Sequence, residues 1–138
     1  MDGNEPIVLV VDNDPGVVEA ISARLEGLGI ATLRAGTGMQ ALSLLEKNSV
    51  DLVITDVNMP AGDGIELLSR VRSIDRTHCV IITGAEIDSA IQEHVDNGCS
   101  LYRKPFSAMD LVNEVVSILD KQVLLKEPVN TSQNTLGQ

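Results

Sequence analysis

Short, wholly apolar runs alternate along this chain with longer stretches in which apolar residues return every three or four positions. Ile7 to Val11 is the first such run, mostly β-branched, and predicts a strand buried on both faces. Asp14 then fits a helix N-cap, and Pro15 the first helical position, where its missing N–H is harmless. Val18, Ile21, Leu25 and Leu28 make the apolar stripe of that helix, and Gly29 is placed to end it in a left-handed conformation. Residues 30–35 are more polar and predict a strand at a sheet edge. Thr37 with Gln40 three residues on reads as a capping box, opening a helix that turns Ala41, Leu44 and Leu45 inward and closes at Asn48.

The pattern then repeats around a central stretch, Asp51 to Glu66, reading DLVITDVNMPAGDGIE. Residues 52–55 predict a buried strand that stops on Asp56, and a Gly/Pro-rich loop leads to a helix over residues 63–74 with Ile65, Leu68 and Val71 on one face. Residues 79–82 are a fourth strand, ending on Thr83-Gly84. A helix over about residues 86–97 has only the thin stripe Ile87, Ile91 and Val95, so it is expected to be the least firmly held, before Gly98 stops it. A short fifth strand, residues 101–103, ends at Lys104-Pro105, and Ser107 with Asp110 opens a last helix bearing Leu111, Val115, Ile118 and Leu119 that continues to about Lys126. Residues 127–138 are polar and aperiodic, which predicts one folded domain over 1–126 and a tail or linker over 127–138.

Five strands alternating with five helices predict an α/β fold: a doubly wound parallel sheet of the flavodoxin-like type, in the order 2-1-3-4-5. In that order the switch point lies between the first and third strands, which end at Asp12 and Asp56; the fourth and fifth end at Thr83 and Lys104. Two carboxylates, a hydroxyl and an ammonium are therefore expected to meet at one rim of the sheet.

Composition narrows what such a rim can serve. The net charge of −10 argues against direct nucleic-acid binding, which needs a basic face, and against adsorption to anionic lipid. Aromatic residues are almost absent, so Val, Ile, Leu and Ala must fill the interior. The two cysteines, Cys79 and Cys99, form no spaced pattern for a metal or a disulfide, and Cys79 reads as a small buried hydrophobe. The N-terminal residues lack the basic start and long apolar run of a signal or membrane segment, so the chain is expected to be cytoplasmic.

Carboxylates held close repel one another and call for a cation, and oxygen ligands on an acidic rim favour Mg²⁺, which suits phosphate chemistry. With Lys104 as a fixed positive charge and Thr83 as a hydrogen-bond donor, the expected chemistry is phosphoryl transfer, with Asp56 as nucleophile.

In this order and spacing VLVVDND, DLVITDVNMPAGDGIEL, VIITGA and YRKPF resemble the receiver domain of two-component response regulators, over roughly residues 5–122. The resemblance implies that Asp56 accepts a phosphoryl group from a histidine kinase or phosphotransfer protein, that Thr83 reaches toward the phosphoryl oxygens while Lys104 pairs with them, and that Lys104–Pro105 is cis. It implies a Mg²⁺ site made by Asp12, Asn13, Asp56 and the backbone carbonyl of Asn58. Such a domain is a switch, not a turnover enzyme; the face made by the fourth helix, fifth strand and last helix would bind an effector or a second copy. Two positions depart from the family pattern. Asn13 stands where the second acid is usual, which predicts weaker Mg²⁺ binding; Asp14 reads first as the helix N-cap and second as a partial substitute for the missing acid. Leu101 stands where Tyr or Phe is usual; Tyr102, one residue later, reads as a packed strand residue, or takes the switch role if the strand is shifted locally by one residue.

Two other readings follow from the same residues. Asn13 and Leu101 suit a degenerate receiver that binds partners without phosphorylation. Asp12-Asn13-Asp14 after a strand also suits a Mg²⁺ phosphohydrolase of the haloacid dehalogenase type, although Pro15-Gly16 fits that motif poorly and no downstream paired-Asp motif follows. His78 and His94 read as surface or packing residues, and Val123, Leu124 and Leu125 as a frayed helix end or a link to a partner helix.

Overall fold

The computed structural model describes residues 5–59, 64–74, 77–84 and 86–126, with 121–126 as backbone only. The described residues form β1 (Ile7–Val11), α1 (Pro15–Gly27), β2 (Ala31–Ala35), α2 (Gly38–Lys47), β3 (Leu52–Asp56), α3 (Gly64–Arg72), β4 (His78–Thr83), α4 (Ser89–Asp96), β5 (Ser100–Arg103) and α5 (Ala108–Lys126). The loop at Pro60–Asp63, Ala85, the side chains of Val123, Leu124 and Leu125, and the tail over 127–138 lie outside the described residues. All strand pairs are parallel and the sheet order is β2-β1-β3-β4-β5, as the alternation of elements predicts.

Alternation along the strands divides the interior into two layers. Leu9, Val11, Val53, Cys79 and Ile81 point to the side covered by α2, α3 and α4, joined there by Ala41, Leu45, Leu67, Leu68, Val71 and Ile91. Val8, Val10, Leu52, Ile54, Val80 and Ile82 point to the other side, against Val18, Ile21 and Leu25 of α1 and Leu111, Val115 and Leu119 of α5. The edge strand β2 is only partly covered, which explains its polar sequence.

The helix signals act as their chemistry requires. Asp14 accepts from Gly16 N at 2.9 Å and Pro15 opens α1. At its other end Gly29 takes φ +83°, and Gly29 N and Ile30 N donate to Glu26 O and Leu25 O, the paired bonds of a Schellman cap. Thr37 Oγ1 accepts from Gln40 N at 3.1 Å; the Gln40 side chain reaches back to Gly36 N, one residue short of the usual capping-box donor. Asn48 closes α2 with its Nδ2 on Leu44 O.

Several boundaries differ from the expectation. Strand β3 includes Asp56, and β2, β4 and β5 shift by one residue at their ends. Helix α3 ends at Arg72, because Ser73 N and Ile74 N turn back to Arg70 O and Val71 O in three-residue steps that tighten the last turn. Helix α4 begins at Ser89, not near Glu86: Asp88 is extended and its Oδ1 captures Ile91 N at 2.9 Å, so the carboxylate that satisfies the helix N-terminus lies two residues later than expected.

Candidate functional site

Asp12 follows the last residue of β1 and Asp56 ends β3. Because Val11 pairs with Thr55, the next step of the register sets the two acids side by side at the C-terminal rim of the sheet. Both are buried, with 1% of Asp12 and 4% of Asp56 exposed. Each is held in the same way. Asp12 Oδ1 accepts from Asp14 N at 2.9 Å, and Asp56 Oδ1 accepts from Asn58 N at 2.8 Å. These local bonds orient the second oxygen of each carboxylate toward one cation: Lys104 Nζ lies 2.7 Å from Asp12 Oδ2 and 3.1 Å from Asp56 Oδ2.

Burial works against the charge on Lys104, but hydrogen bonding to Asp12 and Asp56 and their negative charges outweigh it, and its pKa rises above the ordinary lysine value. The lysine is fixed from its backbone as well: Lys104 N donates to Thr83 O at 2.8 Å, and the following Lys104–Pro105 bond is cis. Thr83, fully buried, ends β4 one position beyond Ile82, the residue paired with Asp56. The structure thus brings Asp12, Asp56 and Lys104 into direct contact and sets Thr83 at the end of the neighbouring strand.

Asn13 and Asn58 are exposed beside the two acids, and Asn13 lines a cleft of about 500 Å³ with Asp12, Pro15 and Arg34. Among the described residues no group of three or more His, Cys, Asp or Glu is placed to hold a metal. The donors at the rim are instead two carboxylates with neutral amide and carbonyl oxygens, a set that suits Mg²⁺, which commonly takes one or two carboxylates and keeps its waters. Asp12 Oδ2 and Asp56 Oδ2 are consistent with that fit: both belong to buried carboxylates and share the single ammonium of Lys104, which leaves carboxylate lone pairs that a cation could take.

The residues around the rim sort by face. Leu101 packs on the α2–α4 side, while Tyr102 faces α5, donates its hydroxyl to Glu114 and meets Phe106 edge-on at a centroid distance of 6.4 Å. Burial and that hydrogen bond push the Tyr102 pKa up to about 12. His78 is exposed at the start of β4, and His94 is buried with Nδ1 accepting from Arg72 Nη1 at 3.0 Å, away from the acidic rim. Asp14 caps α1, so the Asp12-Asn13-Asp14 run does not supply two acids to the rim.

One supporting residue went unnoticed in the sequence. A Cβ on Gly64 would stand 2.5 Å from Val57 Cα and 2.6 Å from Val57 O, closer than real atoms pack. Only glycine lets the first turn of α3 approach the backbone that carries Asn58.

A doubly wound sheet with two buried carboxylates at its switch point, reached by a lysine from the end of β5, sets charged groups where open α/β sheets bind their ligands. Comparison with known proteins makes the class specific: the profile described as response regulator receiver domain matches residues 8–116, and the chain belongs to that family. It is 34% identical over 122 residues to sporulation initiation phosphotransferase F of Bacillus subtilis, covering 86% of this chain and 94% of that one. It is 32% identical over 124 residues to the sensor histidine kinase RcsC of Escherichia coli K12, covering 88% of this chain but spanning only 13% of the kinase. Among solved structures, the receiver domain of Francisella response regulator 1452 superposes with a TM-score of 0.74 at 31% identity, covering 85% of this chain and 98% of that one. Among the described residues no helix is long and apolar enough to cross a membrane.

Proposed function

We propose that this receiver domain takes a phosphoryl group onto Asp56 from the phosphohistidine of a histidine kinase or phosphotransfer protein. A carboxylate oxygen of Asp56 attacks phosphorus, the P–N bond to imidazole breaks, and an acyl phosphate forms. The observation that carries this reading is the shared ammonium: Lys104 Nζ contacts both buried carboxylates, within 2.7 Å and 3.1 Å, and is placed to follow charge from carboxylate to phosphoryl oxygen. Asn58 N, on Asp56 Oδ1 at 2.8 Å, keeps the acceptor oriented. Thr83 at the adjoining strand end is the hydroxyl suited to hydrogen-bond the new phosphoryl group. Asp12, Asn13, Asp56 and the carbonyl of Asn58 would hold Mg²⁺, which when bound neutralises charge between the carboxylates and the phosphoryl oxygens.

The similarity to a protein named as a phosphotransferase supports the relay role. In this reading residues 1–126 are the receiver and 127–138 a tail or linker, the protein acts in the cytoplasm, and its chemistry is acceptance and slow loss of one phosphoryl group. The face of α4, β5 and α5 would then bind an effector or a second copy, through a shift in a two-state equilibrium. A phosphorylation-independent binding module is favoured by Asn13, which leaves the rim one acid poorer, and by Leu101 where the family usually has Tyr or Phe. Treatment with Mg²⁺ and acetyl phosphate separates the two: a phosphoryl adduct that Asp56→Asn abolishes supports the switch, and the absence of an adduct supports the module.

A further inference from the structure

The two cysteines, unrelated by spacing, meet in the fold. Val80 pairs with Ser100, so the residues one step earlier, Cys79 in β4 and Cys99 just before β5, stand side by side. Both point into the α2–α4 layer, and each is 7% exposed. Neighbouring strands lie about 4.8 Å apart, within the Cα separation that a disulfide spans. The two thiols are close enough to shift one another's titration, and the Arg72 guanidinium lies near enough to favour negative charge on both sulfurs. Among the described residues no third ligand completes a metal site with the pair.

We propose that Cys79 and Cys99 are a redox-active dithiol that a hydroperoxide converts to an intramolecular disulfide. The Cys99 thiolate attacks one peroxide oxygen; an S–O bond forms, the O–O bond breaks, and hydroxide leaves as the sulfur is oxidised by two electrons. Cys79 then gives up its proton and attacks the Cys99 sulfenic acid; the S–S bond forms, the S–O bond breaks, and the oxygen departs as water. One hydrogen peroxide and two thiols thus give one disulfide and two waters. Cys99 is the better first nucleophile because its neighbour Cys79 and the charge of Arg72 lower its pKa despite burial, whereas Cys99 and burial raise that of Cys79.

The bridge would close a ring over residues 79–99, which contains Thr83 and all of α4. It lies at the end of β4 opposite the acidic rim, so it would restrain those elements without touching Asp12, Asp56 or Lys104. In reducing compartments disulfides are mostly transient and redox-sensing, which suits a reversible bridge of this kind.

The test is to treat the full chain with hydrogen peroxide and follow intact mass, unreduced peptide maps and hydrogen exchange. The proposal expects a monomer lighter by two hydrogens, a linked Cys79–Cys99 peptide, full reversal by dithiothreitol and slower exchange in α4. In Cys79→Ser the sulfenic acid on Cys99 should persist and be trapped by dimedone. Intermolecular dimers, stable oxidation of one sulfur in the wild type, or thiols unchanged where a free-cysteine peptide is oxidised would each overturn it. Because the wild-type result decides, the inference survives or falls even if a serine variant fails to fold. Unchanged exchange in a bridged protein would overturn the restraint on α4.

Discussion

Lys104 Nζ stands 3.1 Å from Asp56 Oδ2 although 48 residues separate them along the chain. The same nitrogen is 2.7 Å from Asp12 Oδ2, so one partly exposed ammonium compensates two carboxylates that burial alone would penalise heavily. The rim still carries one more negative charge than positive, and the proposed Mg²⁺ site has the neutral Asn13 where a further acid would add charge. This balance sets the first prediction.

Asn13→Asp adds a carboxylate on the open side of the rim, where Asn13 lines the cleft. Mg²⁺ affinity should rise by roughly tenfold, about 1.4 kcal/mol, as measured by titration calorimetry. Unchanged affinity would remove Asn13 from the metal site.

Gly64→Ala should displace the Val57–Asn58 backbone, since the new methyl would stand 2.5 Å from Val57 Cα. Overpacking of this kind costs about 1–3 kcal/mol, and adduct formation at Asp56 should slow because the Asn58 N–H shifts with its loop. Gly27→Ala is the control: beyond its chain neighbours and its own helix backbone, no heavy atom of the described residues lies within 4 Å of an added Cβ, and stability should hold or rise slightly. Urea denaturation of the two variants checks the contrast.

Asp88→Ala removes the side chain that accepts from Ile91 N at 2.9 Å. Loss of such a cap costs about 1 kcal/mol, and in a helix of only eight residues that loss should appear as faster hydrogen exchange over Ser89–Asp96. Exchange that speeds equally across the whole sheet would mean that α4 does not open separately.

His94 makes stability depend on mildly acidic pH. Its burial, followed by the charge of Arg72, lowers its pKa below the ordinary 6.5, and Arg72 donates to Nδ1, which only the neutral ring accepts. The unfolded chain therefore takes up the proton first as pH falls. The contribution is complete above 6.5 and is lost as pH drops through the lower folded value. Urea midpoints at about pH 7.5 and about pH 5.5 should differ for the wild type, and His94→Gln, which cannot titrate, should show a smaller difference.

Much of the framework was legible because its signals are local. Apolar runs marked β1, β3 and β4, Asp14, Thr37, Asn48 and Ser107 marked helix ends, and the residues at the C-terminal ends of β1, β3, β4 and β5 named the rim. What escaped depends on lateral register or close approach, which no window of sequence contains. Cys79 and Cys99 become neighbours only when β4 and β5 align, His94 meets Arg72 only across the α3–α4 packing, and Gly64 matters because of Val57. The late start of α4 had a local signal in Asp88, but Glu86 and Ile87 extend the same pattern and masked it.

The most direct test of the signalling account is the intact mass of the full chain after incubation with Mg²⁺ and acetyl phosphate, beside Asp56→Asn and Asp12→Asn. The account predicts one phosphoryl adduct on the wild type, mapped to Asp56 and absent from Asp56→Asn, with slower formation in Asp12→Asn. An adduct that persists in Asp56→Asn, or its complete absence from the folded wild type, would contradict it.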